Sequence, residues 1–469
     1  MSGFQSMVYK DDTICALASP QGSGAIAVIR LSGKESLNIA LAHFSARKKP
    51  INHDNIISHH LYFGDFIDGD KIIDEILLSY FKGPNSYTTE DIIEISCHGS
   101  TYVQQLIIQV LLDSGARMAD AGEFTMRAFY NGRMDLSQAE GVADLIASQS
   151  KTAHQLALNQ MRGGFSDKIK ELRTELLNFT SLIELELDFA EEDVEFADRK
   201  QFLLLINRLK LELNKLIESF KLGNVIKKGI PVAIIGKPNA GKSTLLNALL
   251  NEEKALVSEI PGTTRDSIED TIVIDGYTFR FIDTAGLRNS TDVIENMGIE
   301  RTYEKINQAV IILYICDISE INREHIDEVF NEFKSYINDI DKHFIFVANK
   351  IDELETIPPH LKDMLEQNSV FVSAKRKENI HLLASTLVSK VKDKNIGNEI
   401  IVSNSRHYDA LAKSLDSLIQ VEIGFQNDIP TDLISIDIRQ CLHHLGTITG
   451  EITTDEVLGN IFGKFCIGK

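Results

Sequence analysis

Hydrophobic and polar positions divide this chain into stretches of different period. In the first 130 residues the period changes often. Ala25-Ile26-Ala27-Val28-Ile29-Arg30-Leu31 and Asp91-Ile92-Ile93-Glu94-Ile95-Ser96 read as strands. Thr101 to Leu112 reads as a helix, with apolar residues at Val103, Leu106, Ile107, Val110 and Leu111. Gln21-Gly22-Ser23-Gly24 marks a turn. From Asp135 the pattern becomes helical. Ser137 and Glu140 have the spacing of a capping box, and Val142, Leu145, Ile146 and Gln149 open a pattern that runs to about Leu222 with a break at Gly163-Gly164. Gly223 to Gly229 reads as a short basic linker.

Continuous apolar runs follow, as expected of strands buried on both faces: Val232-Ala233-Ile234-Ile235, Phe344-Ile345-Phe346-Val347 and Val370-Phe371-Val372. Thr271 to Ile274 and Tyr277 to Ile282 flank Asp275-Gly276, the signal of a tight hairpin. That hairpin predicts one antiparallel edge strand on a doubly wound, otherwise parallel sheet. Beyond about 390 the helical period returns at Asp409 to Val421 and Asp432 to Leu445. The pattern therefore predicts an α/β and α multidomain chain: an α/β domain over 1–130, helices over 131–228, a doubly wound domain over 229–390 and helices over 391–469. One helical domain interrupted by an insertion is the economical arrangement; separate helical pieces are the alternative.

Chemistry enters between the first buried run and the helix after it. Gly236-Lys237-Pro238-Asn239-Ala240-Gly241-Lys242-Ser243 fits G-x-x-x-x-G-K-[ST], with a strand before it and a helix from Ser243 to Leu250 after it. Backbone N–H groups of such a loop close around phosphate oxygens at a helix N-terminus. Lys242 would reach the β- and γ-phosphates, and the Ser243 hydroxyl would bind Mg²⁺. Four further segments stand in the order of a Ras-like GTPase domain. Pro261-Gly262-Thr263-Thr264-Arg265-Asp266 is at the position of switch I, where Thr264 would complete the Mg²⁺ shell. Asp283-Thr284-Ala285-Gly286 is a D-x-x-G element. Asn349-Lys350-Ile351-Asp352 is an N-K-x-D base reader, and Ser373-Ala374-Lys375 would close over the base. A carboxylate at Asp352 accepts from the N1–H and exocyclic amine of guanine. Adenine lacks that donor pair, and a site built to hydrogen-bond a substrate group strongly rejects analogues without it.

The residue after D-x-x-G is Leu287, where Ras-like GTPases carry a glutamine that orients the attacking water. An apolar side chain cannot do this. Asp292, Glu295 and Glu300 are the carboxylates just downstream. By position alone, Arg265 is a candidate arginine finger.

Composition adds bounds. A chain of 469 residues holds two to four domains at about 100–200 residues each. Its 43% hydrophobic and 25% charged residues are those of an ordinary soluble protein. No apolar run approaches the roughly 18 residues that span a bilayer, and the N-terminus lacks a signal-peptide pattern, so no membrane association is expected. Cys15, Cys97, Cys316, Cys441 and Cys466 are scattered, which argues against disulfides or a zinc site and for a cytoplasmic location. The net charge of −20 is unlike that of a protein that grips nucleic acid by itself. Glu184 to Asp198 carries eight acidic and no basic residues; a solvated helix face is its ordinary meaning, and a docking surface for a basic partner is the alternative.

The chain resembles the MnmE (TrmE) family of tRNA-modifying GTPases. The match lies in Asp12-Thr13-Ile14, Gly24 through Arg30, Gly83-Pro84-Asn85-Ser86-Tyr87-Thr88, Gly122-Glu123-Phe124-Thr125 with Arg127-Ala128-Phe129, the P-loop and switch I segments, and the tail Phe465-Cys466-Ile467-Gly468-Lys469. The resemblance implies a homodimer whose N-terminal domain is tetrahydrofolate-binding-like and mediates dimerisation. It places contacts to 5-formyl- or methylene-tetrahydrofolate on Arg30, Glu94, Arg133 and Lys469. Arg133 stands where the family often has lysine, so the charge is kept and the geometry changes. The implied GTP/GDP set takes in Asn239, Ala240, Gly241, Lys242, Ser243 and Thr244, then Ser258, Glu259, Ile260, Pro261, Gly262, Thr263 and Thr264, and then the D-x-x-G, N-K-x-D and Ser373-Ala374-Lys375 residues.

Glu295 becomes the implied catalytic carboxylate. A K⁺ ion held by Asn239, Ser258, Ile260 and Thr263 takes the place of an arginine finger when two GTPase domains meet. The implied partners are an FAD-binding protein of the MnmG (GidA) family, in a heterotetramer, and tRNA. The implied product is a wobble uridine carrying an aminomethyl or carboxymethylaminomethyl group at C5. Cys466 invites a nucleophile reading, but beside Phe465 and Ile467 it reads better as a small hydrophobe. A ribosome-assembly or signalling GTPase is the competing function; the N-terminal segments and the tail argue against it.

Overall fold

A computed structural model describes residues 12–188, 199–254, 270–282, 298–354, 369–392, 400–427 and 429–468. Contacts gather the described chain into two units. One holds the chain up to Ile146, Asn159–Lys210 and the chain from Lys413. The other holds Ala147–Leu158 and Leu211–Ala412.

The first unit is built on a seven-stranded sheet: β1 (Ile14–Leu17), β2 (Ile26–Ser32), β3 (Phe44–Ala46), β4 (His60–Asp68), β5 (Lys71–Phe81), β6 (Ile92–His98) and β7 (Arg117–Met118). Their order is β3-β4-β5-β6-β2-β1-β7. All neighbours are antiparallel except β1 and β7. The helix Thr101–Asp113 packs Ile107, Val110 and Leu111 into the sheet's core beside Ile29, Ile93 and Ile95. The opposite face leaves Leu61, Phe63 and Leu77 exposed, with Phe63 directly across from Leu77.

Helices complete this unit. Gly164–Asp188 packs on Thr431–Thr449, where Arg173 donates to the Leu442 carbonyl. Phe202 stacks on Phe179 at 4.1 Å and meets Phe425 edge-on at 4.6 Å. Helices from both ends of the chain thus share a core.

The second unit carries a six-stranded sheet of β8 (Ile230–Ile235), β9 (Asp270–Ile274), β10 (Tyr277–Phe281), β11 (Ile311–Asp317), β12 (His343–Asn349) and β13 (Ser369–Phe371). The order is β13-β12-β11-β8-β10-β9. β9 is the antiparallel edge; every other pair is parallel. Asp275 and Gly276 take φ of 49° and 83°, as the hairpin turn requires. Leu245, Leu249, Leu383 and Leu387 cover one face, and Ile306, Ile326 and Val329 the other. This is the doubly wound sheet that the apolar runs predict.

Two expectations need correction. Gly223 to Gly229 is no linker: the helix Arg199–Lys228 runs through most of it. Gly223 sits inside a helix because a Cβ there would run into the Val402 carbonyl, so the glycine permits close approach rather than flexibility. Gly229, with φ of 88°, ends the helix. The capping box is also displaced. The helix Leu136–Ala147 is capped by Asp135 and Gln138, each side chain accepting from the other's backbone N–H at 3.0 and 2.9 Å. Ser137 lies within the first turn, and its Oγ is buried without a hydrogen-bond partner among the described residues.

Candidate functional site: a phosphate loop, a base reader and a cationic N-terminal cluster

The loop after β8 is locked by its neighbours. Gly236 has φ of 144°, and a Cβ there would strike the Ile315 carbonyl of β11. Gly241 has φ of 95°, and its Cβ would land on Asn349 Nδ2. Both glycines are needed for conformation and for space. Asn239 also takes a positive φ, 63°. Lys242 opens the helix Lys242–Lys254, and its Nζ donates to the carbonyls of Gly236 and Lys237, both at 2.7 Å. Burial, helped by nearby Lys305, holds its pKa below the ordinary lysine value. Ala240 is buried, Ser243 is half-buried and Thr244 is exposed on the first turn.

Asn349 ends β12 and is 2% exposed. Its Nδ2 donates to the Ala240 carbonyl at 2.8 Å, and its Oδ1 accepts from the Ala374 N–H at 3.0 Å. One side chain therefore ties the phosphate loop to the segment Ser373-Ala374-Lys375. Lys350, with φ of 67°, donates to Asp317 at 2.5 Å. Asp352 accepts from Ser373 Oγ at 2.6 Å, and Arg376 lies 3.8 Å from its other oxygen. The Ser373 bond, reinforced by Arg376 and Lys375, holds the Asp352 carboxyl below the usual carboxylate range. It is an ionised acceptor at neutral pH, the state that reading guanine requires.

The N-terminal residues converge on one aromatic ring. The β2–β6 register places Arg30 opposite Glu94, and Arg30 donates twice to one Glu94 oxygen, at 2.9 and 2.7 Å. The Arg30 guanidinium lies 5.5 Å from the Tyr87 ring and 5.7 Å from Phe124; that of Arg133 lies 5.2 Å from Tyr87. Arg133 also donates to the Ser86 carbonyl. Beneath the cluster Arg127, 2% exposed, pairs with Asp12, Glu90 and Glu123. Tyr87 OH shares a 2.9 Å hydrogen bond with Thr125.

The tail reaches the same neighbourhood. Phe465 packs into the cluster of Met126, Leu136 and Phe462, and Ile467 pairs with Ala121. Gly468, at φ of 96°, lies where a Cβ would meet the Leu17 carbonyl, and Leu17 is the register partner of Ile29, next to Arg30. Cys466 is exposed, so burial does not account for it, contrary to the small-hydrophobe reading.

Several expected site residues fall outside the described residues: Ser258, Glu259, Ile260, Pro261, Gly262, Thr263, Thr264, Arg265, Asp283, Thr284, Ala285, Gly286, Glu295 and Lys469. Leu287, Asp292 and the stretch from Phe189 to Asp198 do too. Of the expected metal ligands, Ser243 and Asn239 are described, both within the loop segment Gly236–Ser243.

The family models for the GTP-binding protein TrmE N-terminus and for the MnmE helical domain match residues 13–133 and 136–466. The chain is 55% identical to the tRNA modification GTPase MnmE of Flavobacterium psychrophilum, over 99% of this chain and 100% of that one. The chain belongs to the MnmE family of tRNA modification GTPases. The MnmE of Bacteroides thetaiotaomicron is 49% identical over 98% of this chain and 99% of its own. Among solved structures, the FeoB G-domain from Methanococcus jannaschii aligns with 35% of this chain and 98% of its own at 25% identity, with a TM-score of 0.25.

For this MnmE-family chain, motif reading singled out the loop Gly236–Ser243 and the segment Asn349–Asp352 but missed what braces them. Nothing in the sequence signals that Asn349 bonds two segments at once, or that Asp317 anchors Lys350. Tyr87 lies in a matched segment, yet only the fold shows it between two guanidinium groups.

Proposed function

We propose that this protein is a GTP hydrolase acting in tRNA modification. Together with an FAD-binding MnmG-type partner, it installs an aminomethyl or carboxymethylaminomethyl group on C5 of a wobble uridine. The observation that carries the nucleotide half is the pair of hydrogen bonds that Asn349 makes, donating to the Ala240 carbonyl and accepting from the Ala374 N–H, which ties phosphate loop and base reader together. Asp352 selects guanine, and Lys242 leaves its two carbonyls to neutralise the phosphates. Ser243 and Thr264 would hold Mg²⁺, which would supply positive charge to the phosphates. Asn239, with Ser258, Ile260 and Thr263, would hold K⁺, which would add positive charge at the transferring phosphate. Glu295 orients the attacking water in place of the missing glutamine.

The N-terminal cluster fits a folate by its donor set. Two guanidinium groups suit an anionic tail, Glu94 suits an amino-pyrimidinone edge and Tyr87 a flat ring. Arg30, Glu94, Arg133 and Lys469 would hold the folate, which would supply the one-carbon unit. The exposed row of Leu61, Phe63 and Leu77 supports a homodimer through this sheet. With a net charge of −20, the partner supplies most phosphate contacts to tRNA. Among the described residues no helix is long and apolar enough to cross a membrane. The proposed location is the cytoplasm.

The test is mass spectrometry of tRNA nucleosides from cells lacking this protein, with and without the wild-type gene restored. The modified wobble uridine should vanish and return. Identical nucleoside profiles would defeat the tRNA reading, and purified protein without GTPase activity would defeat the enzymatic one.

A further inference from the structure

A buried histidine touches the phosphate loop from outside the nucleotide motifs. His325 is 7% exposed, near the start of the helix Arg323–Glu332, where its N–H is capped by Asn322 Oδ1 at 2.8 Å. Its Nδ1 lies 3.2 Å from the Nζ of Lys237, the second residue of the loop. Its Nε2 lies 3.4 Å from the Tyr314 hydroxyl on β11. Lysine can only donate, so Nδ1 must be the acceptor and the ring neutral, with its proton on Nε2 toward Tyr314. The contact therefore fixes the tautomer.

The loop depends on where Lys237 is held. The Lys237 carbonyl accepts from Lys242 Nζ at 2.7 Å and from the Ala240 N–H at 3.4 Å. Tyr314 is the register partner of Ile235, the residue just before Gly236. The chain Tyr314–His325–Lys237 thus runs from the sheet to the carbonyl that carries the loop lysine. We propose that His325 is a positioning residue of the nucleotide site, bracing the phosphate loop through Lys237. This rests on the guanine-nucleotide reading above and adds a residue outside its motifs.

The surroundings keep the brace intact at neutral pH. Burial, then Lys237, lowers the His325 pKa; Glu328 on its own helix and Glu320 after β11 pull the other way without reversing it. The helix N-terminus also disfavours a cation there. Protonation would set an imidazolium N–H against an ammonium, and the contact would be lost. The neutral ring is favoured, so the brace is complete above the ordinary histidine pKa and fails only as pH falls through the lowered value.

The experiment measures GDP affinity by titration for the full chain and for His325→Leu and His325→Gln. Leucine removes both contacts and should weaken GDP binding roughly three- to tenfold, part of the worth of one hydrogen bond to a charged donor. Glutamine can accept from Lys237 and donate to Tyr314, so it should bind within about twofold of wild type at neutral pH. As pH falls from about 7.5 through the lowered His325 pKa, wild type should lose affinity relative to His325→Gln. GDP's own phosphate titrates in this window, and its effect cancels in the ratio. A pH-independent ratio overturns the inference even if His325→Leu does not fold, and so does a folded leucine variant with wild-type affinity. Wild-type protein that fails to bind GDP would instead sink the nucleotide reading itself.

Discussion

Replacing Asn349 with alanine removes a brace without touching Asp352, the proposed base selector. The side chain makes two buried hydrogen bonds, to the Ala240 carbonyl at 2.8 Å and from the Ala374 N–H at 3.0 Å. Each buried backbone group left unpaired costs about 1–3 kcal/mol, so the loss is about 2–6 kcal/mol in total. Water entering the space beside Gly241 would recover part of this, leaving about 2–3 kcal/mol. Expressed in binding, that weakens GDP roughly 30- to 150-fold. Isothermal titration of wild type and Asn349→Ala with GDP and with IDP reads both the loss and its origin. IDP lacks the exocyclic amine, so the ratio of the two dissociation constants reports Asp352. That ratio should stay within about twofold, because the Ser373–Asp352 bond is untouched. A GDP affinity within about threefold of wild type would refute the bracing role. A collapsed ratio would show that Asn349 acts on base selection instead.

Asp352→Asn should move preference from guanine to xanthine nucleotides, because an acceptor becomes a donor; a competition assay with XDP that leaves GDP preferred would count against it. Glu295→Ala should leave GTP affinity nearly unchanged and lower kcat by roughly 10²-fold, in the range of a general base, so near-normal turnover would move that role elsewhere. GTP hydrolysis should run faster in KCl than in NaCl at equal ionic strength; equal rates would return the charge-stabilising role to Arg265. Arg127→Met removes the most buried cation from Asp12, Glu90 and Glu123, leaving Arg117 on Asp12 and Glu123 and Ser32 on Glu90, so the loss falls at the low end for a broken buried pair, about 3 kcal/mol, which hydrogen exchange should read as roughly 10²-fold less protection in β2 and β6. Burial raises the Asp12 and Glu123 carboxyls, yet Arg117 and Arg127 outweigh it and hold both below the usual range. Their stabilisation is therefore complete above the ordinary carboxylate pKa and lost as pH falls through the depressed values, so wild-type protection of β2 should fall off below about pH 4.

Some of this protein is written locally. The loop Gly236 to Ser243, Asn349 to Asp352 and the Asp275-Gly276 hairpin are short segments whose residue types recur at fixed spacing, so spacing alone singles them out. The continuous apolar runs of β8 and β12 follow from burial on both faces of a sheet. Local pattern misled where a residue answers to a distant one. Gly223 reads as a linker residue until the Val402 carbonyl is seen against it, and Ser137 reads as a cap because the Asp135–Gln138 pair lies two residues away with the same spacing.

Only tertiary structure decided the pairings. Arg30 meets Glu94 because β2 and β6 take one antiparallel register, and a one-residue slip would turn one of the two to the other face of the sheet. Tyr87 stands between Arg30 and Arg133 because the 83–91 segment folds back under the helix Glu123–Tyr130, held there by Thr125 and Asn131. Asn349 joins residues 109 and 25 positions away in the chain. Periodicity reports which face a residue takes within its own element. Which residues then meet is set by register and by the packing of elements, and those energies belong to pairs that the linear pattern does not contain.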